Sequence, residues 1–265
     1  MLDWLNRMIG AQYFQTEAER PFADAAQLTA KFVVVDGQRF IRSKYGVYLK
    51  TRWTDATFHF CVLGIYGKGL SDYLNSQQQP FSFIDIGANQ GLYSLLAARN
   101  AYCQQVFAFE PVSENYQYLT HNLWINDASS KTLAYKAAIA ESHGPYQICL
   151  KRGHSGAASM RPKQSAKSQR YETIHGINAA VLQNLLRFIK RAVIKIDVEG
   201  FEKTVIDELV KSGVLTSTQA VFYEVDERWS KPDLIRQQLS GQGFKFFQKF
   251  GSGYHYDVLA TREQY

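Results

Sequence analysis

The chain has 265 residues, 46% of them hydrophobic, and a formal net charge of +6, enough to enclose a sizeable core and near the upper end for one domain. Cys61, Cys103 and Cys149 show no CxxC or CxxH spacing, which argues against a disulfide framework or a zinc site and for a reducing, cytoplasmic setting. Charges interrupt the N-terminal apolar residues, and no apolar run nears the roughly 18 residues that span a bilayer, so a soluble protein without a transmembrane segment is expected.

In chain order, Trp4, Tyr13 and Phe14 come first and would suit a homodimer surface. From Lys31 to Thr51 two β-prone runs flank Asp36-Gly37, a two-residue hairpin signal. Residues 1–76 therefore read as an N-terminal extension with a β-hairpin, and residues 77–265 as the main domain. Strands are expected at Phe81 to Ile86, Gln105 to Phe109, Thr132 to Ala137, Ala192 to Ile196 and Gln219 to Glu224. Helices are expected at Gly91 to Arg99, Glu114 to Asn126, Ala179 to Phe188, Phe201 to Lys211 and Pro232 to Leu239. This alternation, with nearly continuous apolar strands such as "AVIKI", predicts an α/β fold with a mostly parallel sheet covered on both faces. The runs Phe244 to Phe250 and Tyr254 to Ala260 are joined only by Gly251-Ser252-Gly253. A crossover helix cannot fit there, so the seven-stranded sheet should end in an antiparallel hairpin.

The turn "DIGANQG" follows the first sheet strand and places Asp85, Gly87, Ala88, Asn89 and Gly91 at the carboxyl edge, where open parallel sheets bind ligands. Glycine allows close backbone approach, and the next helix begins with free N–H groups. A dinucleotide fingerprint starting at Gly87 would need glycines at 89 and 92, where Asn89 and Leu92 stand. The pattern is instead DxGxNxG, and Asp85 suits the cationic amino group of a methionine moiety. Glu110 ends the next strand at the distance from the turn where an acid grips ribose hydroxyls; its other reading is a carboxylate favoured by a helix dipole. Together these signals favour S-adenosylmethionine as cofactor.

Further on, "VIKIDVEGFEKTVIDEL" carries Asp197 and Glu199 out of a strand, and "AVFYEVDE" brings Glu224 and Asp226 to the same edge. Such carboxylates could hold a hard divalent cation such as Mg²⁺, with Asp197 and Glu224 as metal ligands, or supply a general base. Glu199 and Glu202 could equally serve only the helix N-terminus. From Lys151 to Arg170 there are six basic residues and no acid, which reads either as a solvated loop or as a loop meeting an anionic substrate.

The segments "FIDIGANQG", "FAFEP", "HSGAASM" and "IKIDVEGFE" resemble the successive signatures of the FkbM family of S-adenosylmethionine-dependent methyltransferases, over about Phe81 to Glu227. The resemblance implies a Rossmann-like class I methyltransferase fold and methyl transfer, typically to oxygen on sugars, polyketides or related natural products. It implies that Asp85, Gly87, Ala88, Asn89 and Gly91 line the methionine end, that Glu110 holds ribose, and that Asp197, which also faces the reacting end of the cofactor as a binding residue, sits with Glu199 at the reaction centre. His154 stands where the family has an asparagine-like position and adds a titratable catalytic candidate. The acceptor expected is a small molecule or glycan, a surface polysaccharide precursor being favoured, phosphorylated or nucleotide- or lipid-linked. Nucleic-acid methylation is disfavoured, because the polar-Pro-Pro-aromatic loop that grips a flipped base is absent from the chain. A non-catalytic cofactor-binding protein would share the fold, and the joint presence of Asp85, Glu110, Asp197 and Glu199 counts against it.

Overall fold

A computed structural model of the chain describes residues 33–161 and 170–264. Trp4, Tyr13 and Phe14 lie outside the described residues, as does the basic run between 162 and 169. Strands β1 (Val33–Val35) and β2 (Gln38–Arg42) pair antiparallel through Asp36 and Gly37, both at positive φ, as a two-residue turn matched to strand twist requires. Strand β3 (Tyr48–Lys50) extends this small sheet. Two helices that the sequence reading did not anticipate follow. Helix α1 (Ala56–Leu63) is capped by Asp55, whose carboxylate accepts from the Phe58 N–H, and α2 is Lys68–Ser76. The sequence "ATFHFCVL" of α1 is buried on most sides, so no amphipathic period marks it.

The main sheet takes β4 (Phe81–Ile86), β5 (Cys103–Phe109), β6 (Thr132–Tyr135), β10 (Ala192–Ile196), β11 (Thr218–Asp226), β12 (Phe246–Phe250) and β13 (His255–Thr261) in the order β12-β13-β11-β10-β4-β5-β6. The strands from β11 to β6 run parallel, while β13 is antiparallel to both β11 and β12. This is a Rossmann-like methyltransferase fold, with the seven-stranded sheet closing in the expected hairpin. Helices α3 (Leu92–Arg99) and α4 (Ser113–Ile125) follow β4 and β5; α5 (Ala179–Leu186), α6 (Glu202–Ser212) and α7 (Pro232–Gly241) follow later in the chain. A third sheet, absent from the expected elements, takes β7 (Ala138–Ile139), β8 (Gly144–Leu150) and β9 (Arg170–Ile177) in the order β7-β9-β8.

Strand order reverses between β4 and β10, so their carboxyl ends open a crevice. Alternation along each strand sorts the core into two layers. Phe81, Phe83, Val193, Ala220 and Phe222 join α1, α2 and α3 on one face, while Ile84, Ile86, Ile194, Ile196 and Tyr223 join α5, α6 and α7 on the other. Residues 41–74 contribute Ile41, Leu49, Phe58 and Leu74 to the first layer, so this stretch shares a core with the main sheet. Asp85, Lys195 and Glu224 have the parity of the first layer. Register pairs Lys195 with Asp85, and Glu224 with Asp257. A polar row thus crosses the carboxyl edge of one face, although each member belongs to a different strand.

Candidate active site

The glycine turn is fastened to both neighbouring strands. Gly87 N and Ala88 N donate to Phe109 O at 3.0 and 2.9 Å, and Asp197 N donates to Ile86 O at 3.1 Å. Gly87 sits at φ +79, and a Cβ there would overlap the carbonyl oxygen of Asp197, so backbone rather than side chain excludes every other residue. Asn89 holds a left-handed conformation at φ 51, which its short amide tolerates. Its N–H donates to Glu110 Oε2 at 2.8 Å, while Glu110 Oε1 accepts from Val112 N at 2.9 Å. Glu110 is 4% exposed. Burial pushes its carboxyl up to about 7, against the pull of the two N–H donors and Lys195.

Asp85 is wholly buried. Its Oδ2 accepts from Ser94 Oγ of α3 at 2.7 Å, and its Oδ1 lies 3.4 Å from Lys195 Nζ. The carboxylate expected to face the cofactor's charge is therefore spent on groups beneath the turn. Lys195, 3% exposed, donates to Gly87 O at 2.6 Å and stands 3.5 Å from Asp197 Oδ2. Burial works against its ammonium, yet Asp197 and Asp85 more than offset this, and its pKa is raised. Sequence reasoning passed over Lys195, though a lone cation inside the apolar run "AVIKI" is the signal that could have found it. Tyr66, also missed, donates to Asp197 Oδ2 at 3.0 Å.

The segment from Gly153 to Arg161 crosses the site as a strap. Gly153 O accepts from Ala56 N, Ser155 N and Oγ donate to Asp55, and Gly156 N donates to Thr57 Oγ1, tying the strap to the start of α1. Ser155 Oγ also lies 3.1 Å from Asn89 Oδ1, and Ser159 Oγ donates to Glu199 O. The described part of the basic run is thus anchored to the fold. His154 is part-buried; burial and Lys151 hold its pKa below the usual histidine range.

Two cavities lie under the strap. The smaller, about 60 Å³, is lined by Gly87, Asn89, Glu110, Ala138, Met160 and Phe201 among others. The larger, about 740 Å³, is lined by residues including His154, Lys195, Phe222, Phe250, His255 and Asp257. Tyr66, Gly156, Asp197 and Glu199 border both. Asp197, Glu199 and Glu224 each bring one oxygen to a place where all three atoms lie within 4.8 Å of one another. Glu224 Oε1 is also 2.6 Å from His255 Nε2. Such a cluster can share protons or offer oxygen donors to a hard cation. Glu199 holds the left-handed region at φ 54, a conformation uncommon outside glycine. Burial, then Glu224 and Asp197, push its carboxyl up to about 9; burial and Asp197 push Asp257 up to about 7. Asp226, expected near this group, instead pairs with Arg228.

The raised Glu199 pKa has a consequence for stability. Between its ordinary value of 4.5 and about 9 the folded chain binds a proton that the unfolded chain releases, so this residue makes stability fall as pH rises through that window. Glu199→Gln is expected to raise the melting temperature at about pH 8.5 and leave it nearly unchanged at about pH 4. Equal gains at both pH values in differential scanning calorimetry would contradict this origin.

A family model described as "Methyltransferase FkbM domain" matches residues 85–246. A curated protein described as methyltransferase sdnD of Sordaria araneosa is 33% identical over 96 residues, a stretch that is 36% of this chain and 37% of that protein. Solved structures that align include the methyltransferase domain of METTL16 (13% identity, TM-score 0.49, 83% of this chain and 75% of that one). Another is a protein of the NADB-Rossmann superfamily from Streptococcus agalactiae (14% identity, TM-score 0.46, 74% of this chain and 67% of that one).

Proposed function

The chain belongs to the FkbM methyltransferase family, and from that premise we propose that it moves a methyl group from S-adenosylmethionine to a hydroxyl of a small-molecule or glycan acceptor. The observation that carries this reading is the meeting of the two cavities at Tyr66, Gly156, Asp197 and Glu199. Cofactor on one side and acceptor on the other would face each other there, as in-line displacement demands.

The residues of the smaller cavity fit the cofactor. A carboxylate offers about four lone-pair sites, and Glu110 accepts from two backbone N–H groups and weakly from Asn115, so it retains capacity for ribose hydroxyls. Asn89, Gly87 and Val198 line the way to Asp197. When bound, S-adenosylmethionine supplies an electrophilic methyl on a sulfonium sulfur. Ligand pockets run from about 300 Å³ upward, so at about 60 Å³ the cavity must widen for a nucleoside. The strap is the part that moves, because Ser155 and Gly156 line the cavity and their bonds run to the side chains of Asp55, Thr57 and Asn89, while Ser159 stays bridged to Cys149 of β8. On this reading Asp197 accepts the proton of the acceptor hydroxyl, and Lys195 and Tyr66 hold its carboxylate in place. His154 borders the acceptor cavity and could relay that proton outward. Carboxyl groups beside Tyr66, Phe222, Phe250 and Tyr256 suit a sugar, whose faces alternate apolar and hydroxyl surface; a polysaccharide precursor is such an acceptor. Free, buried cysteines at 61, 103 and 149 accord with a reducing cytoplasm.

Binding, hydrogen-exchange and turnover measurements test the proposal. Titration calorimetry should detect S-adenosylhomocysteine binding that Glu110→Ala weakens by about tenfold or more, with the strap gaining protection from hydrogen exchange. Radiolabelled methyl transfer to a panel of sugars and nucleotide sugars should then yield a base-stable O-methyl product. Failure to bind the cofactor would sink the reading; binding without transfer would favour a non-catalytic role. Turnover that is lost to EDTA and restored by Mg²⁺ would assign the Asp197, Glu199 and Glu224 oxygens to a cation.

A further inference from the structure

The mouth of the larger cavity carries cations that the methyl-transfer reading leaves without a task. Lys151, at the end of β8, and Arg228, in the loop after β11, both line it. Arg161, at the far end of the strap, stacks on Trp229 with its guanidinium carbon 3.9 Å from the ring centroid. Arg228 stacks on the same indole at 4.2 Å and on Tyr254 at 4.6 Å. Lys151 and Arg228 line the cavity from different parts of the chain, and Arg161 joins them through the Trp229 ring that it shares with Arg228.

The seat of Arg161 is built into the fold. Gly200 holds φ +96, and a Cβ there would overlap Arg161 Nε, so the turn after β10 must be glycine for the arginine to lie across it. Arg161 N donates to Ser159 Oγ, which itself donates to Glu199 O, linking this cation to the catalytic edge. An aromatic face attracts a cation, but two guanidinium groups on one indole repel each other. Asp226 offsets only Arg228, through bonds to Nε at 2.9 and 3.1 Å. Among the described residues no carboxylate pairs with Arg161 or Lys151, and Arg161 Nε is buried with no hydrogen-bond partner. The cavity is therefore lined by charges of both signs: Asp197, Glu199, Glu224 and Asp257 come from the carboxyl edge of the sheet, and Lys151 and Arg228 come from the loops around it, with Arg161 stacked on the same indole as Arg228 to complete a cationic rim.

We propose that this rim is a phosphate-binding subsite, in which Lys151, Arg161 and Arg228 grip a phosphate ester of the acceptor while its hydroxyl-bearing part reaches Asp197. The proposal rests on the acceptor cavity assigned above. Planar guanidinium groups match phosphate oxygens in pairs, and a lysine adds a point charge. The two sets of charges then act together: the rim fixes one end of the acceptor and so determines which hydroxyl arrives at the carboxylates.

The test is calorimetric titration of the full chain with pyrophosphate, uridine diphosphate and geranyl pyrophosphate, each with and without saturating S-adenosylhomocysteine. Binding is expected for at least one probe, weakened about tenfold or more by the double substitution Arg161→Ala and Lys151→Ala, and weakened by added salt. Cofactor-product affinity should not change in that variant. Lys190→Ala, which precedes β10 at the edge opposite the site, should leave probe binding intact. Tightest binding of uridine diphosphate would identify a nucleotide-linked acceptor, and of geranyl pyrophosphate a lipid-linked one; equal affinities would assign recognition to the phosphates alone. Absence of binding by all three probes, binding that survives the double substitution, or equal loss in Lys190→Ala would overturn the proposal. Arg161-dependent probe binding in a protein that does not bind S-adenosylhomocysteine would leave the subsite standing and remove the methyl-transfer reading instead.

Discussion

Replacing Lys195 by methionine is expected to lower the unfolding free energy by about 3–5 kcal/mol, because it leaves buried carboxylate charge without its partner. The ammonium lies 3.4 Å from the wholly buried Asp85 and 3.5 Å from Asp197, and donates to Gly87 O. Methionine fills much the same volume, so packing contributes little to the loss and the charge imbalance dominates. Urea unfolding measures the effect directly. The double variant Lys195→Met with Asp85→Asn should recover a large part of it, since an amide in place of Asp85 removes the stranded charge while still accepting from Ser94 Oγ. A loss below about 1 kcal/mol in the single variant would place the pair among interactions whose desolvation cancels their attraction. Cofactor affinity should also fall in the single variant, because the Gly87 carbonyl loses its donor and the turn is freed at the point where it meets Asp197.

The second large effect concerns turnover. Asp197→Asn should reduce kcat by about 10²–10⁴-fold, the usual contribution of a positioned general base, while S-adenosylhomocysteine affinity stays within about threefold. The substitution is nearly isosteric. Tyr66 Oη and Lys195 Nζ both address Oδ2, so the asparagine carbonyl takes that place and its amide nitrogen occupies the Oδ1 position, where it cannot accept a proton. Tyr66→Phe should cost less, since it loosens Asp197 without removing its basicity. A rate for Asp197→Asn within about tenfold of the parent would rule out the base assignment and direct attention to His154.

Much of the fold was legible because its signals are local. The hairpin turn at Asp36-Gly37, the apolar strands of the parallel sheet and the short Gly251-Ser252-Gly253 connection each follow from a few neighbouring residues. Helix α1 was missed because a buried helix has no polar face to set a period, and β8 and β9 because "YETIHGI" and "GPYQICL" alternate beside a loop rich in glycine, serine and lysine. In the site, Asp197 and Glu199 stood out as acids leaving an apolar strand. Tyr66 and His255 had no comparable mark, since an aromatic after a helix and a histidine in an edge hairpin are common in any chain.

Sequence by itself determined the chemical inventory at the carboxyl edge: a turn too poor in glycine for a dinucleotide, an acid after the second strand, and acids after the later ones. Tertiary structure decided how those groups are used. Asp85 looks like a ligand in the sequence, yet parallel pairing of β4 with β10 sets it opposite Lys195 on the face covered by α3, where a buried charge must be met by another. Glu224 and Asp257 are separated by 33 positions in the chain, and antiparallel pairing of β11 with β13 puts them side by side. Register is a long-range property of strands brought together by a shared core. For that reason the residues that could do the chemistry are readable one by one, and their partners only in the folded sheet.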